Sequence, residues 1–235
     1  MCGRYTLATP DHQSIRARFP IGESVEIRQR FNVAPTDEVL TVTTDKQGLP
    51  RGELLRWGLV PSWAKSPSVG GAKMINARLE TAAEKPAFRR AFERYRCLIV
   101  ADGFYEWQRT GGPKRPFHIT RADHEPFAFA GLWSIWHGGR EQTLRTCTIL
   151  TTAANETIAD LHDRMPVILT PGHEAEWLDL DTPPGRLHEI LAGLPARHTE
   201  LAAVSSAVND VRNDGPECLL APTTEPPPAE QQALF

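Results

Sequence analysis

Cysteine occupies position 2, directly behind the initiator methionine. Its side chain is small, so removal of Met1 is expected. The processed chain then begins with an α-amine and a thiol on adjacent carbons. The amine has a pKa of about 8 and the thiol of about 8.5, so both have accessible nucleophilic forms near neutral pH. An amine attacks an aldehyde to give a Schiff base. The neighbouring thiol then closes a thiazolidine ring, an intramolecular step with the advantage of proximity. A lysine stops at the imine. The expected product is a long-lived adduct rather than rapid turnover. If Met1 is retained, the nitrogen is an amide and this chemistry is closed.

Proton transfer needs further groups. Glu106 follows an apolar run, where partial burial raises a carboxyl pKa toward a useful range. His162 is of the type that titrates near neutrality. The other three cysteines, Cys97, Cys147 and Cys218, are irregularly spaced, with no CxxC pair and no dense disulfide frame. Cys97 and Cys147 sit in apolar stretches and read as buried core thiols. No metal and no cofactor is implied.

Short apolar, β-branched or aromatic runs supply the elements that must hold these groups. They cover residues 38–44, 53–60, 97–107, 117–120, 127–135, 146–152 and 165–169, punctuated by Gly, Pro and polar residues. Helices are fewer. One is expected over 10–19, with Asp11 near its start. Thr81-x-x-Glu84 has the form of a capping box, followed by Pro86 and an apolar stripe of Ala87, Phe88, Ala91 and Phe92. Residues 154–163, 171–178 and 182–194 are further helical segments. The pattern is one α+β domain, mainly β, over residues 1–221. Residues 222–235 form a Pro-rich tail expected to be extended and mobile.

The 235 residues are 40% hydrophobic and 23% charged, ordinary values for a soluble globular protein. No apolar run reaches the roughly 18 residues of a membrane span, and no apolar signal segment opens the chain. The expected compartment is the cytoplasm. Net charge is −3, but residues 1–116 hold 19 Lys+Arg against 12 Asp+Glu and residues 117–235 hold 7 against 17. That asymmetry is compatible with one basic face meeting a polyanion and equally with a dipole of no consequence.

Read in order, the motifs are MCGRY at 1–5, FNVAP at 31–35, RWGLVPSWAK at 56–65, INARLET at 75–81, RCLIVADGFYEW at 96–107, TTAAN at 151–155 and LHDRMPV at 161–167. Together they resemble the SRAP (SOS-response-associated peptidase) family over roughly residues 1–220, and several ordered motifs are far more specific than one short pattern. Members shield abasic sites in single-stranded DNA by a DNA–protein cross-link. The resemblance implies a pseudo-barrel of short β-strands with flanking helices, removal of Met1, and Cys2 as nucleophile. By motif match it also implies Glu106 as acid/base, Asn76 as the residue that helps hold the reacting sugar and Cys2, and His162 as an aid to Schiff-base chemistry. Arg4, Asn32, Arg78 and Arg164 match positions that contact the DNA backbone, and Trp63 and Trp107 match aromatics near the strand.

These roles suit the residue types. An abasic sugar is mostly a closed hemiacetal, and opening it takes a proton donor and acceptor. Arginines grip phosphates bidentately, and aromatic rings stack on unpaired bases at about 1–3 kcal/mol each. The last five residues, Gln231–Phe235 (QQALF), resemble the short peptide that docks bacterial proteins on the replicative sliding clamp, with the tail as spacer. Two other classes remain open. Glutamine amidotransferases, N-terminal-nucleophile amidohydrolases, also begin Met-Cys-Gly, although their glutamine-binding motifs look nothing like the runs here. A non-covalent reader of modified or single-stranded DNA is the other. An AP-lyase activity through the same Schiff base, and a peptidase activity limited to self-processing, are allied expectations.

Overall fold

The computed structural model describes residues 2–108, 114–138 and 142–222. In chain order the strands are β1 (Tyr5–Leu7), β2 (Arg30–Val33), β3 (Glu38–Thr44), β4 (Pro50–Trp57), β5 (Asn76–Arg78), β6 (Arg96–Ala101), β7 (Gly103–Gln108), β8 (Arg115–Arg121), β9 (Phe127–His137), β10 (Thr143–Ala153), β11 (Arg164–Pro166), β12 (Ile168–Leu169) and β13 (Thr199–Ala203). The helices are short: α1 (His12–Arg18), α2 (Leu79–Ala82), α3 (Arg89–Arg94), α4 (Glu156–Ala159), α5 (His173–Leu178) and α6 (Pro184–Ile190).

The strands make two sheets. The smaller runs β13-β8-β7-β1-β2. In the larger, β4, β3, β6, β9 and β10 pair around a closed ring, because β10 bonds both β9 and β4. The β10–β4 pairing is parallel and the other ring pairings are antiparallel. Closing the ring removes its free edges. This is the α+β pseudo-barrel expected from the strand-rich sequence. Tyr5 packs edge-on against Trp57 at 5.3 Å and Phe129 at 5.7 Å, which ties β1 of the small sheet into the ring. Aromatic pairs of this kind contribute about 0.5–1.5 kcal/mol each beyond burial.

Three local expectations change. The 97–107 run is two strands in different sheets, β6 and β7, divided at Asp102. The Asp102 carboxylate takes the backbone N–H groups of Ala8 and Thr9, at 2.6 and 2.7 Å, and the Thr6 hydroxyl at 2.5 Å. Those bonds draw the chain out of one sheet and into the other. Thr81 lies inside α2 and caps nothing; Glu84 N–H bonds its carbonyl at 3.1 Å, closing a turn, and α3 begins only at Arg89. The 154–163 helix is limited to Glu156–Ala159, capped by the Asn155 side chain on Ile158 N–H at 3.2 Å. The helix at 10–19 forms as His12–Arg18, with Asp11 accepting from Gln13 and Ser14 N–H at 3.1 and 3.0 Å.

Candidate active site

Cys2 lies just before β1 and is fully buried, in a cluster with Tyr5, Trp57, Ile149 and Ile158. The ladder between β1 and β7 continues past Tyr5, with Tyr105 N–H bonding Arg4 C=O at 3.0 Å. This brings Glu106, the next residue of β7, alongside the chain's start. The Cys2 thiol faces the Arg4 carbonyl at 3.7 Å. Burial pushes the thiol pKa well up, and the Glu106 carboxylate adds to the shift. The sulfur is therefore a protonated thiol at neutral pH, not a thiolate. Glu106 itself is 3% exposed.

Asn76 reaches Cys2 from the other sheet. Its side-chain amide donates to the Cys2 carbonyl at 2.8 Å. Asn76 is well placed because β5 is held in parallel register on β10, with Asn76 opposite Ile149. The preceding carbonyl, of Ile75, accepts from the Trp57 indole at 2.9 Å and from Ile149 N–H at 3.0 Å. One side-chain hydrogen bond thus links the two sheets at Cys2.

His162 follows α4, and its neighbour Leu161 packs against the Cys2 cluster. His162 Nδ1 lies 3.0 Å from Arg164 N–H and 2.8 Å from Asp163 Oδ1. The two contacts belong to different protonation states. In the neutral ring Nδ1 accepts from Arg164 and the proton sits on Nε2; in the imidazolium Nδ1 donates to Asp163.

The cationic and aromatic residues divide into those at the surface and those tied inside. Arg78 is exposed at the end of β5, and Trp63 is 59% exposed. Arg164 binds both carboxylate oxygens of Glu80, at 2.7 and 2.9 Å, and this pairing, ahead of the Arg78 charge, lowers the Glu80 pKa. Arg4 Nη1 donates to Asn32 Oδ1 at 2.7 Å and to Val208 C=O at 3.0 Å. Asn32 is 1% exposed, and its amide nitrogen bonds the carbonyls of Val208, Asp210 and Asn213 at 3.2, 3.1 and 2.7 Å. Its side chain faces the protein, where it anchors the segment that follows β13. A cleft of about 560 Å³ opens beside the chain's start, lined by Gly3, Arg4, Trp107, Lys114 and Asn209.

Lys114, Asn209 and Asp214 touch this constellation although no sequence pattern marked them, and Glu80, inside the INARLET run, was given no role there. Asp214 accepts from the N–H groups of Phe31 and Asn32, both at 2.7 Å, and pairs with Arg30. Only the fold juxtaposes these distant residues. Among the described residues no group of three or more His, Cys, Asp or Glu side chains is arranged to hold a metal ion.

The model of the SOS response associated peptidase (SRAP) family matches residues 1–211. The chain is 44% identical over 224 residues to the abasic site processing protein YoqW of Bacillus subtilis, covering 93% of this chain and 99% of that protein. It is 35% identical to the abasic site processing protein YedK of Escherichia coli, covering 81% and 83%. A crystal structure of a phage-related protein from Bordetella bronchiseptica, 30% identical, superposes with a TM-score of 0.69 over 87% of this chain and 95% of that one. A Bacteroides thetaiotaomicron protein at 21% identity superposes with a TM-score of 0.82, covering 94% and 99%, and speaks to the fold alone.

Proposed function

The chain belongs to the SOS response associated peptidase family, and from that premise we propose that it processes abasic sites in single-stranded DNA by capturing their open-chain aldehyde on Cys2. The observation that carries this reading is the Asn76–Cys2 hydrogen bond of 2.8 Å, made where burial, and after it the neighbouring Glu106 carboxylate, raise the pKa of the same cysteine's thiol. Relatives at 44% and 35% identity are named abasic site processing proteins.

The order of steps follows from the chemistry of ring closure. Removal of Met1 turns the Cys2 nitrogen from an amide into an amine. Glu106 exchanges protons with the hemiacetal to open the sugar, as a positioned carboxyl does in general acid–base catalysis. The amine adds to the aldehyde carbon and water departs, assisted by His162. The thiol then adds across the C=N bond, sulfur to carbon and its proton to nitrogen, giving the thiazolidine. Ring closure needs the C=N carbon as its electrophile, so the amine adds first and the sulfur second. Asn76, bound to the Cys2 carbonyl, holds the reacting residue in place. Arg4, Arg78 and Arg164 serve the phosphates, Trp63 and Trp107 the bases, and Asn32 acts through Arg4 and the segment it anchors. No cofactor takes part.

The same Schiff base permits β-elimination, so AP-lyase cleavage accompanies capture where ring closure is slow. The peptidase activity in the family's description is read as self-processing at Met1. Residues 1–221 are assigned the reaction, and the Pro-rich sequence 222–235 is assigned no part in it. Its terminal Gln231–Phe235 peptide lies outside the described residues, and its sequence supports docking on the bacterial sliding clamp. Deleting 231–235 should abolish clamp binding and leave cross-linking intact. No helix among the described residues is long and apolar enough to cross a membrane, in keeping with work at cytoplasmic, nucleoid-associated DNA.

Intact mass spectrometry before and after incubation with an abasic oligonucleotide tests the central claim. The expected species is a chain beginning at Cys2 plus one oligonucleotide less one water. Cross-linking by molecules that retain Met1 would overturn it.

A further inference from the structure

We propose that Asn209 is a positioning residue for this reaction, orienting the indole of Trp107 as the aromatic wall of the cleft beside Cys2. The proposal rests on the reading that single-stranded DNA lies in that cleft.

The Trp107 indole N–H donates to Asn209 Oδ1 at 2.7 Å. On its inner side Trp107 meets the Tyr105 ring, with centroids 6.3 Å apart and planes inclined at 42°. The side chain is thus set from two directions, by Tyr105 within the protein and by Asn209 at the cleft's rim. An exposed hydrogen bond alone holds little, because water competes for both partners. This one is different because Asn209 does not move freely.

Asn209 sits on a strap that crosses the small sheet after β13. The strap buries Val208 and Cys218 against Tyr105. Asn213 ties it internally, donating to Ala207 C=O at 2.8 Å. Asp214 and Asn32 pin it to β2 through the bonds described above. The residue next to Asn209, Val208, offers its carbonyl to Arg4 at 3.0 Å. One anchored dipeptide therefore fixes an aromatic plane and a guanidinium on the same cleft. An unpaired base stacks on a flat ring whose tilt is already set, so no rotamer freedom is lost on binding. Asn209 should therefore act on DNA affinity, and the covalent step at Cys2 should proceed without it.

The test uses the full-length protein, nitrogen-15 labelled. The indole N–H peak of Trp107 is assigned by its disappearance in Trp107→Phe. In Asn209→Ala this peak should move upfield in the DNA-free protein, while Asn209→Asp, which keeps an acceptor oxygen, should leave it in place. Affinity for single-stranded DNA carrying a tetrahydrofuran abasic analogue should fall about three- to tenfold in Asn209→Ala. The capture rate at saturating abasic DNA should stay within about twofold of the parent. Trp107→Phe keeps an aromatic ring, smaller than the indole, and removes the N–H that Asn209 holds, so adding Asn209→Ala to it should weaken binding no further than the weaker single variant. An unmoved peak in Asn209→Ala, a moved peak with unchanged affinity, or additive losses in the double variant would each overturn the proposal. If Asn209→Ala does not fold, Trp107→Phe with unchanged affinity overturns it equally. Failure of the parent protein to cross-link would instead strike the proposed function, since the peak position is read without DNA.

Discussion

The amide of Asn76 and the carbonyl oxygen of Cys2, 74 positions apart in the chain, are joined by a hydrogen bond of 2.8 Å. In the proposed reaction this bond holds the residue that presents its nitrogen and sulfur to an incoming carbon. A neutral hydrogen bond of this kind is worth about 0.5–1.5 kcal/mol net. Asn76→Ala should therefore slow cross-linking up to about tenfold under single-turnover conditions. Asn76→Asp should do worse, because a carboxylate oxygen would face the carbonyl. Rates read from denaturing gels decide it, and two unchanged rates would remove Asn76 from the mechanism.

The division of labour between Cys2 and Glu106 yields a second expectation. Cys2→Ala should abolish the heat-stable adduct. Cys2→Ser keeps the amine and should still be trapped on abasic DNA by borohydride, without a heat-stable adduct in its absence. Glu106→Gln removes a positioned proton donor and acceptor, an effect of about 10²–10⁴-fold on rate. Binding to the unreactive tetrahydrofuran analogue should hold. Equal loss of rate and binding in Glu106→Gln would mean that the buried 3%-exposed carboxyl is needed for folding instead.

The chemistry proposed for Cys2 can be read from the sequence because it rests on local evidence. Position 2 is where the proposed chemistry of Cys2 is read, and the apolar, β-branched and aromatic runs at 38–44 and 127–135 become β3 and β9. What could not be read was set by distant partners. The 97–107 run breaks at Asp102 only because three donors from Thr6, Ala8 and Thr9 converge there. Asn32 carries a polar amide in a short strand, which on type alone suits a phosphate contact. The strap that buries it lies about 180 residues later in the chain, its Asp210 carbonyl at a separation of 178. Asn209 and Asp214 sit in no recognisable pattern, since a strap's value depends on what it crosses.

Arg164 is engaged by Glu80 through both carboxylate oxygens, at 2.7 and 2.9 Å, with Glu80 half exposed. A phosphate at Arg164 must displace or share that partner. Glu80→Gln should therefore strengthen single-stranded DNA binding. If it frees one phosphate contact, the slope of log affinity against log salt should steepen by about 0.7. Fluorescence anisotropy over a series of salt concentrations gives both quantities. Weaker binding in Glu80→Gln would indicate that the carboxylate orients Arg164 for DNA rather than competing for it.

The last prediction concerns acid stability and lies away from the nucleophile. His118 on β8 is held beside Thr6, with Nε2 3.0 Å from the hydroxyl. That hydroxyl already gives its proton to Asp102, so Nε2 of the neutral ring is the donor. Gly103 leaves the space for this arrangement, because a Cβ there would lie 2.1 Å from His118 Nε2. Burial lowers the His118 pKa from 6.5 to about 4. In the window between those values the unfolded chain binds the proton and the folded chain does not. Stability therefore rises with pH across the window, and this residue alone should cost about 3 kcal/mol between pH 7 and 4. Asp102, whose pKa burial raises, works in the opposite direction at the acid end. His118→Gln keeps an N–H donor for Thr6 and removes the titration. Urea denaturation from pH 7 down to 4 should show a shallower loss for that variant than for the parent. Parallel curves would place the acid sensitivity elsewhere.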